Sequence, residues 1–162
     1  MRKLTLLLFV LSMSIGSLKA QKDIYKFQYE ISCKGLGEAG TKQIEIRTFC
    51  GKKGDLQISA MRDCLHGLIF RGVKLGTEEC PNRPIIPNSS ESDPKHKEFF
   101  DRFLYSPSEH SRFFSRVSIA PRGVMKVKKG GYEGNYIMNV DYEALVDYLE
   151  QNNVIKKLGG KL

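Results

Sequence analysis

The chain has 162 residues, a formal net charge of +8 and four cysteines. This length fits one small domain. Its basic residues form short clusters, without the aromatic-basic pattern that single-strand binders use. The composition therefore argues against a nucleic-acid partner.

The N-terminal segment has the order of an export signal. Two basic residues precede an apolar stretch, residues 4–15, and a polar stretch of small residues ends at Ala20. A membrane span needs about 20 apolar residues, so this stretch is too short for one. We predict that residues 1–20 are a signal peptide, and that residues 21–162 form a single domain without a transmembrane segment. No cysteine adjoins the predicted cut, so a lipid anchor has no acceptor there.

Cleavage would leave a mildly basic protein. It removes three bases and no acid, leaving 23 basic and 18 acidic residues, a net charge of +5. The remaining basic clusters are Lys52 and Lys53; Lys126, Lys128 and Lys129; and Lys156, Lys157 and Lys161. Such spacing is typical of solvated strand edges and a basic tail, and the alternative is a patch for a polyanion or for peripheral association with a membrane.

All four cysteines lie beyond the predicted signal, at Cys33, Cys50, Cys64 and Cys80. An even number in an exported chain suggests one or two disulfides, and four cysteines allow three connectivities. The chain has no C-x-x-C pair, which argues against a thioredoxin-like redox site and against a zinc ribbon.

Two alternating segments predict a β-hairpin. From Tyr25 to Cys33 every second side chain belongs to an apolar face, and the alternation resumes from Ile44 to Cys50 after a glycine-containing turn region. Both cysteines fall on the core side. A plain hairpin, however, would place Cys33 opposite a residue within 41–43, so its register disfavours a Cys33–Cys50 disulfide.

An amphipathic helix and a long loop follow. Asp55 can cap the helix, and apolar residues recur at spacings of three and four up to a predicted end near Gly72. This stripe consists of Ile58, Met61, Leu65, Leu68 and Ile69. Cys64 borders the stripe and could bond to a strand cysteine or to Cys80. Residues 73–92 form a Pro/Ser-rich loop, and loops of that length are typically mobile or functional.

In the second half of the chain, the pattern predicts a helix, then three strands, then a final helix. Asp93, followed by proline, opens a helix with three phenylalanines on its apolar side. Three strands are predicted around residues 114–120, 124–129 and 132–140, the last two joined by a Gly-Gly turn. Asp141 caps a final helix. We therefore predict an α+β fold, a single domain whose mainly antiparallel sheet packs against two or three helices in the order ββααβββα.

The candidate chemical groups do not assemble into a catalytic pattern. Cys64 and His66 are two residues apart on a helix, so their side chains point about 200° from each other and cannot form a nucleophile–base pair. We interpret His66 as a structural or surface histidine, with a site role as the alternative. His96 and His110 each have an acid close in sequence, but their surroundings predict exposed helix and turn. We expect no metal site from them.

The common catalytic motifs are missing as well. The chain contains no G-x-S-x-G, P-loop, H-E-x-x-H or paired-carboxylate pattern. This absence favours a non-catalytic protein with no cofactor, and it does not by itself decide the question.

The least generic segment is the helix end, residues 66–72. Glycine within a helix costs about 1 kcal/mol relative to alanine, and a close backbone contact could offset that cost. We interpret Gly67 as a tight crossing of helix and sheet. The alternative makes His66, Phe70 and Arg71 a partner-binding corner near the long loop.

The same segment carries a resemblance. A helix ending H-G-[VLI]-I-F-[RK]-G, after two strands and before a proline-bearing loop, resembles a group of small uncharacterised exported proteins of Bacteroides-type bacteria. The resemblance implies a Gram-negative periplasmic or outer-membrane setting and supplies no activity. At the level of the fold alone, a helix on a small sheet is similar to the α/β units of the flagellar-assembly T and curli-secretion G families.

These observations lead to one expectation and two alternatives. We expect a periplasmic or secreted, non-catalytic binding or assembly module of the bacterial cell envelope. It would contact an envelope protein or a surface polymer through the sheet face, the 73–92 loop, or both. The alternatives are a small envelope enzyme or thiol-dependent protein, and a domain that binds a lipid or glycan ligand in an enclosed cavity.

Overall fold

The structure is a computed structural model that describes residues 26–73, 76–128 and 130–156. The predicted signal peptide lies outside the described residues. The described part is an α+β fold, as predicted, with helices packed on a four-stranded antiparallel sheet. Within it, no helix combines the length and the apolar character needed to cross a membrane.

The predicted hairpin is confirmed. Strand β1, Tyr29–Leu36, pairs antiparallel with strand β2, Lys42–Cys50. Cys33 lies opposite Ile44, one residue beyond the predicted range, because the turn is centred at residue 39, where Leu36 pairs with Lys42. A bulge between Cys33 and Gly35 moves the register one residue back toward the predicted range. The strand begins later than the alternation suggested, since Phe27 has a left-handed backbone, φ 55°, although its side chain is buried.

The sheet has four strands in the order β1-β2-β4-β3. Strand β3, Phe114–Lys126, and strand β4, Tyr132–Val140, are antiparallel neighbours. The prediction of three strands in this region is wrong. The segments 114–120 and 124–129 belong largely to a single strand, whose pairing with β4 is interrupted between Ile119 and Val124.

The first long helix, α1, spans Leu56–His66 and continues into a π-helical turn, Gly67–Arg71. The predicted end near Gly72 is confirmed. A side chain at Gly67 would meet the Ile31 Cδ1 atom at 2.8 Å, which confirms the tight crossing of helix and sheet. The predicted apolar stripe is buried except at Ile58, which is exposed.

Three further helices complete the fold: α2, Lys97–Tyr105; α3, Pro107–Ser111; and α4, Tyr142–Gln151. Helix α2 begins later than predicted. The Asp93 carboxylate accepts a hydrogen bond from the Lys95 amide within a turn, and regular helix starts only at Lys97. Asp141 caps α4 as predicted, because its carboxylate accepts from the Ala144 amide at 2.9 Å.

The core lies between the helices and one face of the sheet. Its largest fully buried side chains are Phe100, Phe103, Ile44, Ile46, Leu56, Leu65, Leu68, Ile69, Leu104, Met138, Leu145 and Leu149. Helix α1 lies against β2 and β4, the two central strands. The side chains that alternate with the core set point to the opposite side of the sheet, which we call the outer face.

Candidate functional site

The outer face carries an ordered array of charged side chains centred on Arg47. The Arg47 guanidinium donates to both oxygens of Glu133, from Nε at 2.7 Å and from Nη2 at 2.9 Å. Its Nη1 donates to Glu30 at 3.2 Å. The bidentate pair joins the two central strands, and the Glu30 contact extends the array to the edge strand. Three strands thus hold one arginine in a fixed orientation.

The pKa values of this pair shift in the directions that a strong contact requires. The hydrogen bond from Arg47 lowers the pKa of Glu133, and the hydrogen bond to Glu133 raises the pKa of Arg47. Both groups therefore stay charged over the whole physiological range. Glu133 is buried, so its charge depends on this partner.

A groove of about 380 Å³ lies on the outer face beside Arg47. It is lined by Glu30, Ile31, Ser32, Lys34, Glu45, Arg47, Arg122 and Asn135. Lys34 and Glu45 form an ion pair at 2.7 Å across β1 and β2. Asn135 is only 2% exposed, and its amide lies 3.5 Å from Glu133. The groove is therefore polar, and its side chains hold one another in place.

The interruption in β3 explains how Arg122 reaches this groove. Ile119 pairs with Tyr136 and Val124 with Gly134, so the residues between them on β3 stand against Asn135 alone. Extra residues in one strand bend it and redirect its side chains. Gly123 has φ +65°, which favours glycine within this irregular segment.

A larger concavity of about 840 Å³ lies beside the end of α4. It is lined by Lys95, by residues of α4 and by residues 153–156.

His66 lies in a buried aromatic and charged cluster rather than at the surface. Its Nδ1 is 2.7 Å from the Tyr29 hydroxyl, and its Nε2 is 3.3 Å from the Glu91 carboxylate. Phe27 stacks on the ring at a centroid distance of 3.8 Å. Because an ionised carboxylate only accepts, Nε2 carries the hydrogen and Nδ1 accepts from the Tyr29 hydroxyl.

The pKa of His66 is lowered to about 4, mainly by burial; Glu91 opposes this shift, and Arg71 and Arg62 contribute to it. The ring is therefore neutral at pH 7. Burial also raises the pKa of the Tyr29 phenol, so no proton leaves this pair under ordinary conditions. The contacts join β1, α1 and the loop that carries Glu91.

The three residues of the predicted partner-binding corner lie at different depths. His66 is 4% exposed, because Phe27 and Phe70 pack around its ring. Phe70 is half-buried against Phe100. Arg71 is exposed, with its guanidinium 4.5 Å from the centre of the Tyr29 ring.

The 73–92 loop is attached to the domain at several points. Its Ile85 and Ile86 amides donate to the Leu68 and Ile69 carbonyls at the end of α1. A disulfide joins Cys80 to Cys33 with a Cα–Cα distance of 5.9 Å. These contacts satisfy helix-end carbonyls that would otherwise lack partners.

The structure selects one of the connectivities that the sequence left open. Cys33 bonds to Cys80, and Cys50 and Cys64 are buried thiols outside that bond. The Cys50 thiol donates to the Lys52 carbonyl at 2.8 Å. Burial raises the pKa of the Cys64 thiol, which keeps it protonated and weakly nucleophilic.

A second buried polar cluster was not predicted. The Thr48 hydroxyl donates to Asp63 at 2.5 Å, and the Arg62 guanidinium donates to the same carboxylate at 2.9 Å. His110 lies near Arg62 and is 1% exposed, so its predicted place on an exposed turn is wrong. Among the described residues, neither ring nitrogen of His110 has a hydrogen-bond partner.

Sequence reasoning also missed the Arg47–Glu133 pair. The alternation of β2 does indicate that Glu45 and Arg47 point outward. It does not identify Glu133 as the partner, because Glu133 is distant in sequence and lies beside Arg47 only through the order of the strands. Within the described ranges, no cluster of His, Cys, Asp and Glu is arranged to hold a metal ion.

Comparison with known protein families, with curated proteins and with solved structures finds no match to the chain.

Proposed function

We propose that the protein is an exported, non-catalytic binding or assembly module of the bacterial cell envelope. Its binding surface is the groove on the outer face of the sheet, and its partner is an envelope protein or a surface polymer. The observation that carries this proposal is the fixed polar array around Arg47.

The array supports binding because its side chains are ordered before any partner arrives. Arg47 is held by two carboxylates, and Lys34 is paired with Glu45. A ligand therefore meets groups whose conformational entropy is already restricted, which reduces the cost of association. The volume of about 380 Å³ falls at the lower end of the range for ligand sites.

The charges of the groove favour a polar partner over a lipid tail. Its lining contains three bases and two acids, and the Glu133 carboxylate behind Arg47 balances the third base. Such a surface offers hydrogen-bond donors and acceptors without a strong field of one sign. A polypeptide or a neutral polysaccharide suits it better than an apolar ligand, which would leave these groups desolvated and unpaired.

The positions of the reactive side chains support a non-catalytic role. His66, His110 and Cys64 are all buried, and none of them lines the groove. A general base must reach the proton that it removes, so these groups would need a conformational change before they could act on a ligand in the groove.

Site-specific photo-crosslinking in intact producing cells tests the proposal. A photoreactive amino acid replaces Ser32, which lines the groove, or Gln57, an exposed residue of α1 that serves as the control. We expect a defined adduct, or a polymer-sized smear, from position 32 and not from position 57. Equal labelling at both positions, or no adduct from position 32, would contradict a binding role for the groove.

A second candidate, a small envelope enzyme, draws on the Tyr29–His66–Glu91 arrangement. A histidine between a hydroxyl and a carboxylate has the connectivity of a proton-transfer relay. Labelling of native protein by a phenol- or imidazole-directed reagent measures access to it. Rapid modification of Tyr29 or His66 in folded protein would favour this candidate, whereas we expect protection until the protein unfolds.

A further inference from the structure

Strand β3 and its flanks form a continuous basic segment. From Ser111 to Tyr132 the sequence contains no acidic residue. The described bases of this segment are Arg112, Arg116, Arg122, Lys126 and Lys128, all exposed, and we call them the basic edge. Acids compensate it weakly, since the ion pair of Arg116 with Glu38, at 3.3 Å, joins two exposed side chains.

The basic edge is accessible because β3 is the last strand of the described sheet. It pairs with β4 on one side, and its other side carries no described strand. Over its 13 residues it extends on the order of 40 Å, a length that can lie along a surface.

Exposed apolar side chains lie on the same strand, one on each face of the sheet. Ile119 pairs with Tyr136 of the core face, and Met125 pairs with Glu133 of the outer face. Ile119 is 61% exposed and Met125 is 48% exposed. They are two of the five large hydrophobic side chains that the described surface exposes strongly. Bases that flank projecting apolar groups match the interface of a bilayer, where the bases meet phosphate oxygens and the apolar groups enter the acyl boundary.

Protection of a sheet edge explains only part of this pattern. Lysines, prolines and bulges keep edge strands from pairing with other chains, and β3 has all three. Protection of the edge does not explain why Ile119 and Met125 are exposed, because exposed apolar groups increase the tendency of an edge to associate. It also does not explain why five bases occur without an acidic residue among them.

We propose that the basic edge docks the protein on the surface of an anionic lipid bilayer. The unpaired side of β3 faces the bilayer, so Ile119 and Met125 enter the interface from the two faces of the sheet. This goes beyond binding in the groove, because the two surfaces use different residues except for Arg122. Docking by the edge leaves the rest of the groove open. The protein would hold its partner next to the membrane.

The expected affinity follows from the number of charges. Each Lys or Arg near an anionic bilayer strengthens binding about fivefold. The attraction acts within a Debye length, about 8 Å at physiological salt, so it weakens as salt is added. Removing three bases should weaken binding on the order of a hundredfold, and reversing their charge should weaken it further.

Vesicle co-sedimentation of the full chain tests the proposal. The probes are vesicles of phosphatidylcholine alone and vesicles of phosphatidylcholine with phosphatidylglycerol. The edge variant is R116E/K126E/K128E, which leaves Arg122 and the groove intact. The matched control is K52E/K53E/K95E, the same charge change at exposed lysines elsewhere. All proteins share the same N-terminal segment, so its contribution cancels when the anionic-to-neutral ratio of each variant is divided by that of the wild-type chain.

We expect the wild-type chain and the control variant to prefer anionic vesicles, and the edge variant to lose that preference. A wild-type ratio near one, or an equal decrease in both variants, would overturn the proposal. Should the edge variant not fold, the milder R116Q/K126Q/K128Q gives the same comparison. The photo-crosslinking at Ser32 is read separately, so failure of the groove and failure of the edge are distinguishable.

A final pair of measurements separates a bilayer from a soluble polyanion. I119S/M125S keeps every charge and should weaken binding to anionic vesicles several-fold while leaving binding to heparin unchanged. If this variant binds anionic vesicles as well as the wild-type chain does, Ile119 and Met125 do not enter the interface, and the proposal is wrong.

Discussion

At the scale of single residues, the two buried histidines differ in whether their ring nitrogens have partners. His66 uses both, one toward Tyr29 and one toward Glu91. His110 is equally buried and uses neither among the described residues. A buried polar atom without a partner costs about 1–3 kcal/mol. His66 therefore stabilises the contact between α1, β1 and the loop that carries Glu91. The unpaired nitrogens of His110, in contrast, destabilise the fold.

Replacing His110 tests this difference. We expect His110→Leu to raise the free energy of unfolding at pH 7 by about 1 kcal/mol, because an apolar side chain of similar size removes the unpaired nitrogens. The matched substitution His66→Leu should lower it by about 2 kcal/mol, because it leaves the hydroxyl of the half-buried Tyr29 without its acceptor. Urea unfolding at pH 7 measures both. A destabilised His110→Leu would mean that the imidazole has a partner that these contacts do not include.

At the scale of elements, the end of α1 is shaped by the loop that passes beneath it. The helix widens into a π-helical turn over Gly67–Arg71, and Gly72 then reverses the chain with φ +69°. A side chain at Gly72 would meet backbone atoms of Asn82, Arg83 and Pro84 at 2.8 Å. Two backbone segments are thus in direct contact, and neither can move without disturbing its own hydrogen bonds.

Substitution of Gly72 should be far more costly than that of another glycine with a similar φ. We expect Gly72→Ala to lower the free energy of unfolding by about 3 kcal/mol, because its positive φ with a ψ of 173° is essentially confined to glycine and because the added Cβ meets backbone atoms. Gly123 is the control, since it has φ +65° with no atom near its added Cβ. Gly123→Ala should cost only about 1 kcal/mol. Equal losses for the two variants, measured by thermal or urea unfolding, would show that the contact beneath the helix is unimportant.

The extent to which sequence predicted these elements depended on the range of the interactions that form them. The alternation of apolar residues predicted the β1–β2 hairpin, and their spacing at three and four predicted the apolar stripe of α1. Both patterns depend only on residues close in sequence. The single strand β3 was divided in two, because its proline and glycine resemble a turn when read alone. Only pairing with β4 on both sides of the interruption shows that the strand continues.

The candidate site was less predictable for the same reason. Arg47 and Glu133 are 86 residues apart, and their contact exists only because β4 lies beside β2. His110 follows a proline and lies among serines, which locally resembles an exposed turn, yet the packing of α3 on α1 buries it. The sequence could not identify the disulfide partner of Cys33, because Cys80 lies in an irregular loop whose position relative to β1 no sequence pattern predicts.

At the scale of the whole molecule, one covalent bond attaches the loop to the sheet. The Cys33–Cys80 disulfide spans 47 residues and links β1 with the loop that follows α1. A cross-link of that span restricts the unfolded chain by about 4 kcal/mol in the loop-entropy description. Two buried thiols remain elsewhere in the core.

Removing this bond should be the most damaging of the cysteine substitutions. We expect C33S/C80S to lose about 4 kcal/mol in urea unfolding, and Cys50→Ser, the control that removes no cross-link, to lose much less. Thiol titration gives an independent count. The oxidised wild-type chain should show two reactive thiols after denaturation and almost none before it. Four thiols after denaturation without a reductant would contradict the pairing.

The stability of the molecule should also fall in mild acid, through the same two histidines. Burial lowers the pKa of both His66 and His110 from 6.5 to about 4. Between these values the unfolded state binds more protons than the folded state. The stabilisation is therefore complete above pH 6.5 and is lost as the pH falls toward 4.

We expect the free energy of unfolding to decrease by about 2–4 kcal/mol from pH 7 to pH 5, as followed by urea titrations at several pH values. His110→Leu removes one of the two groups and should remove about half of the decrease. The groups that face the rings are Glu91, Arg62 and Arg71 at His66 and Arg62 at His110. The arginines keep their charge from pH 7 to pH 5, so their own protonation does not contribute to the expected loss of stability. A flat profile from pH 7 to pH 5 would mean that the imidazoles gain protons in the folded protein as easily as in the unfolded chain, and that neither ring is shielded from water.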